Sequence, residues 1–188
     1  MLVLNRESYV EMFETDRLQV RPLTQDDCPA LTEILSDPAV MQYSVRGVCD
    51  EAATRKFIDW CLECYASSGL GPWGLLDKFS GDLIGFCGIG PEEVAGIEEI
   101  NLGYRLAQRY WHQGYATEAA EAVLAYAFSQ QLAASVVVII EPEHIASLRV
   151  CEKVGFRHYT PLVFHNRPVR VYRMLIADWR DQQGSSPG

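Results

Sequence analysis

Residues Tyr110 to Glu118 read YWHQGYATE, and this short stretch joins a strand-like run to an alanine-rich helix. Its glycine has two interpretations: it eases a simple turn, or it leaves backbone N–H groups free to bind an anion. The first N–H groups of a helix have no partners inside the helix, and the helix dipole adds a partial positive charge there. Gly114 has no side chain to block a ligand, and Ala116 is almost as small. The loop lacks the GxxxxGK pattern, so a nucleoside triphosphate is not the expected anion.

Hydrophobic periodicity on both sides of this loop predicts one domain built from strands and helices. The run SVVVIIE at residues 135–141 is continuous and β-branched, as expected of a strand buried on both faces. Thr24 and Asp50 are predicted N-caps, and Gly155 is a predicted C-cap. The predicted strands are 17–23, 73–77, 83–90, 98–106, 135–141, 159–164 and 169–176, and the predicted helices are 24–35, 50–67, 115–131 and 144–154.

Composition predicts a soluble globular chain, because 48% of the 188 residues are hydrophobic and 22% are charged. The net charge of -9 argues against nucleic acid and favours neutral or cationic partners, although it also serves solubility. Charges appear too early for a signal peptide, and no apolar run approaches the ~20 residues of a membrane span. We therefore predict a cytoplasmic protein with no membrane partner. We divide it into an N-terminal arm (1–13), one domain (14–181) and a disordered tail (182–188).

The cysteines predict free thiols and no metal site. Of the six, only Cys61 and Cys64 form a CxxC spacing, and no second pair completes a zinc site. Because this pair falls inside a helical pattern, we interpret it as two reduced helix residues.

Four segments of the chain carry a resemblance to a known family. In chain order they are ETDRLQVRPLTQDD, SGDLIGFCGI, LGYRLAQRYWHQGYATEAAEAVLAYAF and HIASLRVCEKVGF. On these segments the chain is similar to the GNAT acetyltransferase superfamily, and in particular to its branch of ribosomal-protein N-acetyltransferase-like enzymes. The resemblance implies an α+β fold: a mixed, mostly antiparallel central sheet of about seven strands with flanking helices. It also implies that the fourth and fifth strands splay apart around acetyl-CoA.

The same resemblance implies which residues bind acetyl-CoA as the co-substrate. The end of the fourth strand hydrogen-bonds the pantetheine arm through its backbone, the loop amides hold the diphosphate, and the short later helix adds further contacts. Trp111 stands where the superfamily usually has Gln or Arg. His144 stands where Asn is usual, so its ring either holds the cofactor arm or faces solvent. The implied residues are Tyr104, Arg105, Leu106, Trp111, His112, Gln113, Gly114, Tyr115, Ala116, Thr117, His144, Ser147 and Cys151.

Acid–base residues are harder to assign because the family's usual ones are replaced. Many members place a tyrosine acid four residues before the Gly of Gly-Phe, where this chain has Cys151. Ser147 lies one helical turn earlier on the same face, so it is our candidate acid, unless it only positions the cofactor. Asn101 replaces the usual glutamate base, and Glu99 is the next residue on that strand face. Glu99 is thus the candidate base, unless it is a surface carboxylate or orientation of a neutral amine suffices.

The acceptor pocket is expected between the first two helices and the last β-hairpin. Its candidate wall residues are Tyr43, Trp73, Asn101 and Phe164, although such aromatic residues also suit a core. Glu33 or Asp37 could attract a cation there.

The predicted function is N-acetyl transfer from acetyl-CoA to the primary amine of a protein N-terminus or a small molecule. A non-catalytic domain that binds or senses acyl-CoA is the alternative, because Asn101, His144 and Cys151 depart from the family pattern. Another acyl donor stays open, and a homodimer is possible.

Overall fold

The computed structural model describes residues 13–184, which form one eight-stranded mixed sheet with flanking helices. The sheet order is β1-β2-β3-β4-β5-β6-β8-β7. The strands are β1 (Phe13–Glu14), β2 (Leu18–Pro22), β3 (Gly71–Asp77), β4 (Leu83–Val94), β5 (Ile97–Leu106), β6 (Ser135–Ile140), β7 (Tyr159–Phe164) and β8 (Arg167–Leu175). The helices are α1 (Cys28–Leu35), α2 (Glu51–Ser68), α3 (Tyr115–Ser129), α4 (Ile145–Val154) and α5 (Ile176–Gly184).

The centre of the sheet opens into a gap between β5 and β6. These two strands run parallel and share a single registered pair, Asn101 with Val137. On either side the antiparallel ladders continue, β4–β5 as far as the pair Gly85–Leu106 and β6–β8 as far as Ile140. Both strands therefore keep their outer partners but diverge from each other beyond Asn101. This gap is the predicted splay, and β5 and β6 are the fourth and fifth of the predicted strands.

Helices cover both faces of the sheet next to this gap. Phe86 of β4 packs against Phe57 of α2, with ring centroids 4.9 Å apart. Successive strand residues point to opposite faces, so Cys87 and its β5 partner Tyr104 face the other side. There the Tyr104 hydroxyl meets Ser147 of α4. The α2 face and the α4 face of the sheet are named from these contacts.

Most element boundaries agree with the sequence predictions, and local capping explains them. The Asp50 side chain accepts a hydrogen bond from the Ala53 backbone N–H at 2.8 Å, so α2 begins there. Gly155 ends α4 in the left-handed conformation with φ 107°.

Both ends of the domain extend further than we predicted. Phe13, assigned to the arm, pairs with Val20 in β1, which makes eight strands instead of about seven. Residues 182–184, assigned to a disordered tail, belong to α5. Trp179 of α5 packs on Phe128, 5.7 Å between ring centroids, and Gln182 donates a hydrogen bond to the Gly155 carbonyl. These tertiary contacts hold a helix whose own sequence is mostly polar. Residues 1–12 and 185–188, the rest of the arm and tail, lie outside the described residues.

Candidate active site

The start of α3 presents a row of free backbone N–H groups. Gly114 is the residue before the helix and adopts φ 84°, and His112 also has a positive φ of 60°. In the described chain, no backbone N–H from residue 112 to residue 117 donates to a protein acceptor. Left-handed residues near a helix start turn successive N–H groups towards one concave side, which suits an anion. The loop that we singled out in the sequence therefore has the geometry of a phosphate cradle.

A partly buried carboxylate holds this cradle against the start of the domain. Glu118, in the first turn of α3, accepts hydrogen bonds from the Thr15 hydroxyl and from the Arg17 backbone N–H at 3.0 Å. The Arg17 guanidinium donates to Glu118 at 2.7 Å and to the Gln113 carbonyl at 2.9 Å. Burial opposes ionisation of Glu118, but the bonds from Thr15 and Arg17 outweigh it, so its pKa is lowered. Glu118 is thus a structural anchor of the loop.

A cavity of about 490 Å³ runs from the α2 face through the strand gap to α4. Its volume falls in the range of small-molecule sites. Among the predicted acceptor residues, Tyr43, Asn101 and Phe164 line it. The Asn101 side-chain oxygen is buried and has no hydrogen-bond partner within residues 13–184. Because Asn101 sits where the strands part, this unused acceptor lies at the apex of the gap.

The candidate acid lies on the α4 side of this cavity and has a partner. The Tyr104 hydroxyl and Ser147 Oγ are 2.9 Å apart. Burial raises the pKa of Tyr104 to about 12, although the bond to Ser147 opposes that shift. Tyr104 is therefore protonated at neutral pH, and the pair holds a proton that it can donate. The sequence predicted Ser147 but assigned only backbone contacts to Tyr104.

His144 lines the cavity at the start of α4 and stacks on Tyr43, 4.0 Å between ring centroids. Burial, and to a lesser extent the nearby cation of Arg105, lower its pKa to about 4, against an opposing effect of Glu141. The ring is therefore neutral at pH 7. The sequence left open whether the His144 ring holds the cofactor arm or faces solvent. In the structure the ring lies in the cavity and not in solvent.

Glu99 is engaged outside the cavity wall. Arg173 of β8 donates to both of its carboxylate oxygens, one of them at 2.9 Å. This hydrogen bonding from Arg173 lowers the pKa of Glu99, because it favours the charged form. A carboxylate so stabilised accepts a proton poorly. The geometry is unfavourable to the base role that we predicted for Glu99.

Three further predictions need correction. Trp73 is fully buried among Phe13, Tyr65 and Tyr126, so it belongs to the core and not to the acceptor pocket. Glu33 and Asp37 line a separate, shallower cavity.

Trp111 and Tyr115, two aromatic residues of the loop, each donate a hydrogen bond to another part of the domain. The Trp111 indole N–H donates to the Leu106 carbonyl at 2.8 Å, which closes the turn between β5 and α3. That carbonyl was predicted to contact the cofactor. The Tyr115 hydroxyl donates to buried Asp77 at 2.9 Å. Cys151 lines the cavity beside Ser147, and burial raises its pKa to about 12, so it stays a thiol.

Comparison with known proteins identifies the family. Residues 17–157 match the model of the acetyltransferase (GNAT) domain, which is most of the chain. The chain belongs to the GNAT acetyltransferase family. YkkB of Bacillus subtilis (strain 168) is 35% identical over 159 residues, which cover 84% of this chain and 92% of YkkB. The N-acetyltransferase YnaD of the same organism is 30% identical, covering 76% of this chain and 81% of YnaD.

A solved structure has the same fold at much lower identity. It is RimL, the ribosomal L7/L12 alpha-N-protein acetyltransferase, in complex with coenzyme A. The TM-score is 0.74 at 16% identity, with 89% of this chain and 99% of that chain covered. The GNAT match and these relatives support the assignment of this chain as an N-acetyltransferase, whichever type of amine it acetylates.

Within this GNAT domain the sequence did not reveal three cavity residues, Glu92, Glu141 and Arg167, and it assigned only backbone contacts to a fourth, Arg105. Arg105 and Glu92 lie on neighbouring strands, and their side chains share the α2 face with Asn101 because β4 and β5 are in register. Arg167 donates to Glu141 at 2.8 Å across the cavity wall. Only the pairing of strands brings these residues together, and no local pattern marks them.

In the part of the chain that the structure describes, no helix is long and apolar enough to cross a membrane, and no cluster of metal-binding side chains occurs.

Proposed function

We propose that the protein transfers an acetyl group from acetyl-CoA to a primary amine in the gap between β5 and β6. The observation that carries this proposal is the row of unpaired N–H groups at residues 112–117, beside a gap that leads to the Tyr104–Ser147 pair. A diphosphate fits the row of N–H groups, and an extended thioester arm fits the gap between the strands. Acetyl-CoA joins these two groups in one molecule.

In the transfer, the amine nitrogen bonds to the acetyl carbon, the carbon–sulfur bond breaks, and the sulfur takes up a proton. Ser147 is the proposed proton donor, and the Tyr104 hydroxyl, 2.9 Å away, restores its proton. Burial raises the pKa of Tyr104 to about 12, so its proton is present at neutral pH. General acid catalysis of this kind contributes about 100- to 10,000-fold.

The amine must also lose a proton, and Glu92 replaces Glu99 as the proposed base. Glu92 lies on the cavity wall and makes no hydrogen bond or ion pair with any described residue. Its place on β4 puts its side chain on the same sheet face as Asn101, two pairs away from the apex of the gap. Asn101 Oδ1, which has no partner, is suited to accept a hydrogen bond from the incoming amine.

Two broader predictions stay part of the proposal. The acceptor is an amine of a protein N-terminus or of a small molecule, and the cell compartment is the cytoplasm. All six cysteines are free thiols, which suits a reducing compartment.

The test of the cradle is a matched pair of glycine substitutions. Gly114 and Gly96 have similar positive φ values, 84° and 79°, and neither has a backbone neighbour that a side chain would strike. Valine at either position strains the backbone by about 1–3 kcal/mol. We expect Gly114→Val to weaken acetyl-CoA binding at least about tenfold in calorimetry, because it blocks approach to the N–H groups. Gly96→Val, in the remote β4–β5 turn, should bind as wild type does. Equal affinities for the two variants would remove the main support for the proposal.

A thiol-release assay over amines and N-terminal peptides tests catalysis itself. Ser147→Ala should lower kcat while leaving the affinity for acetyl-CoA intact. Acetyl-CoA binding without release of thiol on any acceptor would instead favour the acyl-CoA sensor.

A further inference from the structure

The acceptor half of the cavity carries a positive charge that no described residue neutralises. On the α2 face, Arg105 projects from β5 beside Phe86. Within the described part of the chain, its guanidinium makes one hydrogen bond, to the neighbouring Tyr104 carbonyl at 2.7 Å. No carboxylate among residues 13–184 lies within ion-pair distance of it. Burial lowers the pKa of Arg105, but an arginine side chain remains protonated in proteins.

Such a charge is costly to bury alone. Ions inside proteins are normally paired, because loss of hydration is repaid only by an opposite charge or several hydrogen bonds. Arg105 has neither from residues 13–184, although it lines an open cavity. The partner it lacks can therefore come from a ligand.

The rest of the cavity wall adds to this positive field. Arg46 lies over the Trp60 ring, 5.6 Å from its centroid, and Lys56 projects from α2 nearby; neither has an ion pair in the described structure. Of the two acidic side chains in the wall, Glu141 is already paired with Arg167. The cavity is thus electropositive in a chain whose net charge is -9. This local positive charge favours an anionic ligand, whereas the net charge of the chain predicted neutral or cationic partners.

Position separates this charge from the cofactor cradle. Arg105 faces α2, whereas Tyr104 and Ser147 meet on the opposite face of β5. Arg105 lies four residues along β5 from Asn101, about 13 Å of backbone from the apex of the gap. Gly103 lies between them on the same face, and a side chain there would meet no atom within 4 Å. An open channel therefore joins the apex to the guanidinium.

We propose that the acceptor is an amine that carries a carboxylate, with the amine at Asn101 and the carboxylate bound by Arg105. This inference rests on the proposed acetyl transfer, and it narrows the acceptor to amino acids and short peptides with a free carboxylate. Arg105 provides the planar, two-pronged donor that a carboxylate matches best. Arg46 and Lys56 attract the anion towards the mouth of the cavity.

The test compares acceptors that differ only in charge. α-Amino acids, ω-amino acids and dipeptides are each assayed beside the carboxamide of the same skeleton. For wild type we expect kcat/KM to favour the carboxylate at least about tenfold, as for a hydrogen-bonded charge pair. Arg105→Gln should bring that ratio close to one while the Kd for acetyl-CoA stays unchanged. Arg105→Lys, which keeps the charge, should retain part of the preference, and Arg149→Gln, at an exposed position on α4, is the charge-matched control.

Two outcomes would overturn the inference. One is a wild-type ratio near one for every pair. The other is an Arg105→Gln variant that loses acetyl-CoA affinity as much as it loses kcat/KM, because Arg105 would then serve the cofactor. Calorimetry of the same acceptors on the protein–coenzyme A complex separates this inference from the proposed function. Carboxylate binding that depends on Arg105, without any turnover, would support the inference and contradict acetyl transfer.

Discussion

The buried imidazole of His144 should make the stability of the free protein depend on pH. Its pKa is lowered from 6.5 to about 4 in the folded chain, mainly by burial and then by the Arg105 cation. In the unfolded chain the ring regains its ordinary pKa, so between these two values the unfolded state binds more protons. Stability therefore rises with pH across this window and falls as the solution is acidified below about pH 6.5.

The size of the effect follows from the two pKa values. At pH 7 both states of the chain are mostly neutral at this ring, and at pH 5 only the unfolded state is mostly protonated. Linkage gives a loss of about 2 kcal/mol of unfolding free energy between pH 7 and pH 5 from His144 alone. His144→Gln removes this contribution and keeps a polar side chain of similar size. Below about pH 4 the folded ring is protonated as well, and no further loss follows.

Urea unfolding followed by tryptophan fluorescence at pH 5, 6 and 7 measures this effect. We expect the free energy of unfolding of wild type to fall by about 2 kcal/mol more than that of His144→Gln over this range. His158→Gln is the matched control, the same substitution at an exposed histidine. It separates the buried ring from the general effect of removing one titratable group. If wild type and His144→Gln change in parallel with pH, the ring is not held neutral by burial, and its assigned place in the cavity is refuted.

Four other predictions test neighbouring contacts. Arg105→Gln should raise the pKa of His144, as measured by NMR titration, because the cation that disfavours the protonated ring is gone; an unchanged pKa would contradict their proximity. Glu118→Gln should lower the free energy of unfolding by about 1–3 kcal/mol at pH 7, as measured by urea unfolding. This loss should become smaller as the pH falls below 4.5, the ordinary carboxyl pKa, because the contacts that lower the pKa of Glu118 stabilise only its charged form. Trp179→Ala should lower the free energy of unfolding by about 2 kcal/mol, because α5 loses its packing on Phe128. An unchanged free energy of unfolding would mean that α5 does not pack on Phe128. Glu92→Gln should lower kcat in the thiol-release assay, whereas Glu93→Gln, exposed on the opposite strand face, should leave kcat unchanged.

The fold and the cradle could be predicted from the sequence because their signals are local. A glycine before a helix, a continuous β-branched strand and an aspartate N-cap each act within a few residues of chain. The end of the chain shows the limit of such signals. Residues 182–184 are polar and were predicted to belong to a disordered tail, yet they continue helix α5, which packs through Trp179 on Phe128 and through Gln182 on Gly155. Those contacts come from elsewhere in the fold, so no local pattern reports them.

The acid–base residues illustrate the same limit at the site. Tyr104 and Ser147 are 43 residues apart, and Glu99 and Arg173 are 74 apart, so neither pair is visible in the sequence. Strand alternation correctly placed Asn101 and Glu99 on one face, but it could not show that Arg173, from beyond β6, already binds Glu99. For Arg105 the deciding fact is the lack of a partner, which only the surrounding structure can establish. The choice of acceptor therefore depends on a charge that the fold leaves unpaired, and the carboxylate preference of the enzyme tests that dependence directly.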